Sequence, residues 1–150
     1  MQPLSGQAQV GAPYRTADGN IAMLKSDGDT FEGECEKGQG TGAAFDGSAC
    51  NSKVLSARYF ADDFMTYVAP ENRAPEELIS PVDVGSHGTH TASTTAGNAN
   101  VRANLGASDM GITSGVAPAA KISVYKVCWE DDNPATGCLL YTSPSPRDRS

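Results

Sequence analysis

Two short runs carry the alternation of an extended chain. In residues 54–60, Val54, Ser56 and Arg58 fall on one face, and Leu55, Ala57 and Tyr59 fall on the other. Residues 121–127 form the best strand of the sequence: β-branched, short, and bounded by Pro118 and the acidic cluster Glu130-Asp131-Asp132. Residues 21–24 carry enough apolar character for a short strand or turn only. Residues 61–67 read as a short turn or helix. A longer helix is predicted over residues 87–96, with Ser86 as N-cap and Gly97 as stop. After His90 it holds only Ala, Thr and Ser. A helix this small on every face can pack tightly against a sheet.

The remaining stretches read as connections. Residues 1–30 are weakly patterned and predict a surface loop. Residues 31–50 form a Gly-rich loop. Residues 70–81 hold three prolines and several acids. Residues 98–115 form a further loop of small residues and glycine. No internal repeat is present. The order strand, loop, helix, loop, strand predicts part of a parallel α/β sheet, in which active sites lie at the carboxyl ends of the strands.

Composition narrows the class without changing this picture. The 150 residues are 39% hydrophobic with 16 glycines, which suits a loop-rich α/β protein with a real core. No run of 18 apolar residues occurs, so no transmembrane helix is predicted. The net charge is −7 and there is no basic patch, which argues against a nucleic-acid partner. The first residues, Met1-Gln2-Pro3-Leu4-Ser5-Gly6, have neither a basic nor an apolar region, so a secretory signal is expected outside these residues.

The candidate chemistry centres on His87. In the first turn of its helix it can project from the helix end into a cleft. The positive end of the helix dipole favours the neutral imidazole, which can accept a proton from a hydroxyl nucleophile. A carboxylate must then support the ring when it becomes charged. A lone histidine is commonly just packed, but the pattern around this one is not generic. Asp83-x-x-x-His87-Gly88-Thr89-His90-x-Ala92-Ser93-x-x-Ala96-Gly97 resembles the histidine motif of the subtilisin-like serine peptidases. The segments Gly115-Val116-Ala117-Pro118-x-Ala120-Lys121-Ile122 and Tyr125-Lys126-Val127-Cys128-Trp129 resemble the stretch downstream of that motif in the same family. Gly33-x-Cys35-x-x-Gly38 and Cys50-Asn51-x-Lys53-Val54-x-x-Ala57-Arg58-Tyr59-Phe60 resemble its cucumisin-type branch, known from plants and bacterial relatives. The resemblance covers roughly residues 31–137, with its motifs in order.

The resemblance implies a fragment of a three-layer α/β domain with a parallel sheet, and a secreted endopeptidase acting on protein or peptide substrates without a cofactor. It makes His87 the general base and His90 a packed, structural histidine. Gly88, before Thr89, is read either as a close-approach glycine or as an ordinary turn glycine. The even count and short spacing of Cys35, Cys50, Cys128 and Cys138 suit disulfides in an oxidising compartment. The resemblance implies pairing of Cys35 with Cys50 and of Cys128 with Cys138. The other triad members are not found. Asp18-Gly19 and Asp27-Gly28-Asp29 lack the family's Asp-(Ser/Thr)-Gly pattern, and no Gly-Thr-Ser-Met-Ala occurs. The chain by itself is therefore expected to be inactive.

Two other classes compete. One is a non-catalytic, disulfide-stapled extracellular binding module. The other is a metal site through His87 and His90; it lacks Cys-x-x-Cys and the Glu and i,i+4 spacing of a metalloprotease helix, so no metal is expected. Asn98, Asn100 and Asp109 are too few oxygens to predict calcium. Residues 1–137 are read as a partial peptidase domain. The character changes at residue 138: Cys138-Leu139-Leu140-Tyr141-Thr142-Ser143-Pro144-Ser145-Pro146-Arg147-Asp148 can be encoded by DNA that looks like the transposon end and adapter of tagmentation libraries. Residues 138–150 are read as a translated adapter tail.

Overall fold

A parallel pair of strands holds the molecule together. The computed structural model describes residues 9–133 and 135, and the backbone of residues 139–140. Three strands come first: β1 (Pro13–Arg15), β2 (Ile21–Leu24) and β3 (Thr30–Gly33). β4 (Val54–Tyr59) leads into the short helix α1 (Asp62–Tyr67). Helix α2 (His87–Ala96) follows, then β5 (Val101–Leu105), β6 (Ser108–Thr113), β7 (Ile122–Lys126), β8 (Cys128–Trp129) and β9 (Leu139–Leu140).

β4 and β7 pair in parallel from Val54↔Ile122 to Tyr59↔Lys126, as the strand–helix–strand order predicts. The chain leaving β3 lies along the other edge of β4. There the Ala57 N–H donates to the Glu34 carbonyl at 3.0 Å, and the Glu36 N–H donates to the Ala57 carbonyl at 2.9 Å. Two apolar clusters result. One joins Ile21, Cys50, Leu55 and Ala57, with Met23, Phe31 and Val124 against them. The other, at the carboxyl end of β4, joins Tyr59, Ala61, Phe64, Ile79 and Trp129. Trp129 is fully buried, stacked on Phe64 with ring centroids 5.2 Å apart, and its Nε1–H donates to the Phe60 carbonyl at 2.9 Å. The Cys35–Cys50 disulfide closes the Gly-rich loop between β3 and β4.

Two expectations are corrected, and the reading of residues 70–81 as a connection holds. The segment expected to be a surface loop, residues 1–30, carries most of an antiparallel meander, β1-β2-β3. Its turns are Thr16–Asn20 and Lys25–Asp29, each closed by backbone hydrogen bonds and each centred on an Asp-Gly with the glycine at positive φ. Asp-Gly is a strong hairpin signal, and here it outweighs the weak apolar pattern. Residues 98–115, also expected to be a loop, contain the β5–β6 hairpin turned at Gly106. The prolines of residues 70–81 allow one 3₁₀ turn, Pro70–Asn72, in an otherwise irregular connection.

Candidate active site

α2 starts where β7 ends. At the last residue of β7, Lys126 Nζ donates to the carbonyls of Val82 at 2.9 Å and Leu78 at 3.2 Å. These bonds bring the connection entering α2 to the carboxyl end of the parallel pair. The helix then runs back along β7. At its far end the N–H groups of Val116 and Ala117 donate to the carbonyls of Thr94 and Thr95, at 2.9 and 2.8 Å. Those last-turn carbonyls have no acceptor role inside the helix, and the return chain uses them. Gly97 closes the helix as predicted, with its N–H on the Ser93 carbonyl, although its backbone is not left-handed. Gly97 and Gly115 lie back to back, so close that a Cβ on Gly115 would sit 2.2 Å from the Gly97 nitrogen.

His87 is the first residue of α2 and is exposed. The N-cap differs from expectation. Ser86 occupies the position, but its φ is 64° and its side chain makes no capping bond. Asp83 caps instead, its Oδ2 accepting the Thr89 N–H at 2.6 Å. Partial burial pushes the Asp83 carboxyl up. The Thr89 hydrogen bonds, the Ser86 N–H and the charge of Lys126 outweigh that and hold it below the ordinary carboxylate range.

His90 was expected to be packed. It is exposed, as is most of α2, and Ala96 alone among its residues is buried. Gly88, Thr91, Ala92, Thr95 and Ala96 face residues 120–123 across an open groove instead of filling it. Gly88 is not a close-approach glycine, because an added Cβ would meet only the Asp83 carboxylate at an ordinary 3.5 Å. Among the described residues, no three His, Cys, Asp or Glu side chains gather to hold a metal ion. Cys128 is disulfide-bonded, and Cys138 lies outside the described residues.

Sequence reasoning gave no role to Asp83, Glu77 or Lys126. Lys126 had a signal: it shares a face with Ile122 and Val124 at a period of two, so its charge points inward and needs an anion. Glu77 supplies it, at 2.5 Å.

Comparison with known proteins now places the chain. The model of the subtilase family of peptidases matches residues 23–139. The chain belongs to the subtilase family. Among its subtilase relatives are three proteins of Arabidopsis thaliana. Subtilisin-like protease SBT1.6 is 40% identical over 109 residues, which is 73% of this chain and 13% of that protein. Subtilisin-like protease SBT5.5 is 40% identical over 107 residues, 70% of this chain and 13% of that protein. Subtilisin-like protease SBT1.2 is 41% identical over 101 residues, 66% of this chain and 12% of that protein. The chain thus spans about an eighth of the length of these subtilases. The parallel α/β pair and the Cys35–Cys50 bridge agree with the fold class and pairing that the motifs imply.

Proposed function

We propose that this chain is the general-base segment of a secreted serine endopeptidase. The observation that carries the reading is His87 itself: exposed, in the first turn of α2, at the carboxyl end of the β4–β7 pair, within the His-Gly-Thr-His motif. In the complete peptidase, His87 takes the proton of a serine hydroxyl as that oxygen attacks the peptide carbonyl. It then gives the proton to the leaving amine. An aspartate orients the second ring nitrogen and supports the imidazolium. Neither that aspartate's motif nor the serine's is found among these 150 residues. Losing a triad serine or histidine costs on the order of a million-fold in kcat, a figure measured in subtilisin itself. The chain alone is therefore inactive, and its substrates as part of the enzyme are proteins or peptides.

The test has two arms. The chain is incubated with a fluorogenic peptide and with a serine-directed fluorophosphonate; neither turnover nor labelling is expected. His87→Ala is then made in the longer peptidase, where turnover is expected to vanish. Hydrolysis by the chain overturns its inactivity, and a competent His87→Ala enzyme overturns the assignment of the base.

The β5–β6 hairpin favours a second reading, a non-catalytic extracellular binding module. It exposes Leu105, Met110 and Ile112, and such clustering marks interaction surfaces. An intact longer protein with no serine motif would support it. In the first reading residues 1–137 are a partial peptidase domain and residues 138–150 a translated adapter, which resequencing across codon 138 tests.

A further inference from the structure

We infer that Asp83 is the positioning residue of His87, and that Ser86 is not. The inference rests on the general-base reading for its functional meaning, and on geometry alone for its structural content. The first N–H groups of a helix have no acceptor within it, and a residue at the N-cap ordinarily supplies one. Ser86 cannot do so here. It stands at the cap position with φ at 64° and no side-chain bond to the helix. Asp83, three residues earlier, reaches over the turn and accepts the Thr89 N–H at 2.6 Å. Its negative charge sits at the positive end of the helix, where it is stabilised.

The turn is held at both ends. Before it, the Val82 carbonyl is fixed to Lys126 at 2.9 Å, hence to the end of β7. After it, Thr89 is fixed to the Asp83 carboxylate. His87 lies inside that closed span and is exposed; within the turn the Ser86 carbonyl accepts the His90 N–H at 3.0 Å and the His87 carbonyl accepts the Thr91 hydroxyl at 2.6 Å. The start of α2 that carries the His87 ring is thus anchored to Asp83 through the Asp83–Thr89 bond. The left-handed Ser86 makes the reversal that lets Asp83 face the helix end.

The experiment is NMR on the ¹⁵N-labelled whole chain. Asp83→Ala is expected to speed exchange of the Thr89 amide roughly tenfold, the scale of a lost cap. It is also expected to shift the His87 ring resonances while the Trp129 indole signal stays in place. Asp83→Asn keeps an acceptor oxygen and is expected to restore both signals. Ser86→Ala is expected to change neither. If Ser86→Ala loosens Thr89 and Asp83→Ala does not, the inference is overturned. If Asp83→Ala does not fold, the unmodified chain decides: on acidification the Thr89 amide resonance follows the Asp83 carboxyl if the bond exists, and its indifference would overturn the proposal. Neither arm depends on peptidase activity, so failure of the general-base reading is seen separately in the His87→Ala enzyme.

Discussion

Lys126 Nζ lies 2.5 Å from Glu77 Oε1, and the two side chains are only 9% and 1% exposed. Both partners are further satisfied. The ammonium also donates to the Leu78 and Val82 carbonyls and lies 4.4 Å from the Trp129 ring centroid. The carboxylate accepts the N–H groups of Leu78 and Glu130, at 2.9 Å each. The pair therefore ties the end of β7, the aromatic cluster and the connection into α2 at one point.

That arrangement makes a strong prediction. Breaking a buried pair strands its partner's charge, at a cost of about 3–5 kcal/mol. Lys126→Met is expected to lower unfolding stability by that amount in urea titrations. Glu77→Leu is expected to cost at least as much, because two backbone N–H groups also lose their acceptor. The double replacement should recover part of the loss. A Lys126→Met chain within 1 kcal/mol of the unmodified one (about a fivefold change in equilibrium) would contradict this account of the site's scaffold.

The staple is the second lever. The Cys35–Cys50 bridge spans 15 residues of Gly-rich chain, and cross-linking a loop of that size removes unfolded-state freedom worth about 3 kcal/mol. Replacing both cysteines with alanine is expected to lower stability by about that much in the same titration, with β4 and β7 still paired in the folded fraction. A double variant as stable as the parent would show that the loop is held by its packing alone.

How legible all this was depended on which force set each element. β4 and β7 were readable because buried strands need regular apolar alternation, and the helix because Gly97 punctuates it. The meander was not read because its signal is turn chemistry, Asp18-Gly19 and Asp27-Gly28, between strands of only three or four residues. The hairpin of β5 and β6 is almost wholly exposed, so burial left little pattern in its sequence. The place of His87 was legible through its motif. Its support was not, since the Asp83 cap depends on a left-handed Ser86 and the Lys126–Glu77 pair joins residues 49 apart.

The contact between Gly97 and Gly115 gives a third prediction. A methyl group on Gly115 would meet the Gly97 nitrogen at 2.2 Å and the Ala96 carbonyl carbon at 2.9 Å. Both are backbone atoms that cannot swing aside. Gly115→Ala is expected to cost about 1–3 kcal/mol by overpacking and to loosen the Val116 and Ala117 amides that close α2. Gly88→Ala, in α2 and with only an ordinary 3.5 Å contact, serves as the control and is expected to be tolerated. Comparable losses in the two variants would mean that the close contact at Gly115 is not what makes alanine costly there.

Tyr59 contributes stability that is lost at alkaline pH. Burial, with the Glu36 and Asp62 charges adding to it, raises its phenol above the ordinary tyrosine range, against a smaller opposing effect of Gln39. Its hydroxyl donates to the Lys37 carbonyl at 3.1 Å, a bond that only the protonated form can make. A folded-state pKa raised above the unfolded value of about 10 means that this stabilisation is fully present below that value. It is lost as pH rises through the higher folded value. Ultraviolet difference titration is therefore expected to show a tyrosine ionisation above the ordinary range, together with loss of the folded signal. Tyr59→Phe is expected to remove that late step. If the late step survives in Tyr59→Phe, another tyrosine carries it, and burial at Tyr59 does not shield its phenol from base.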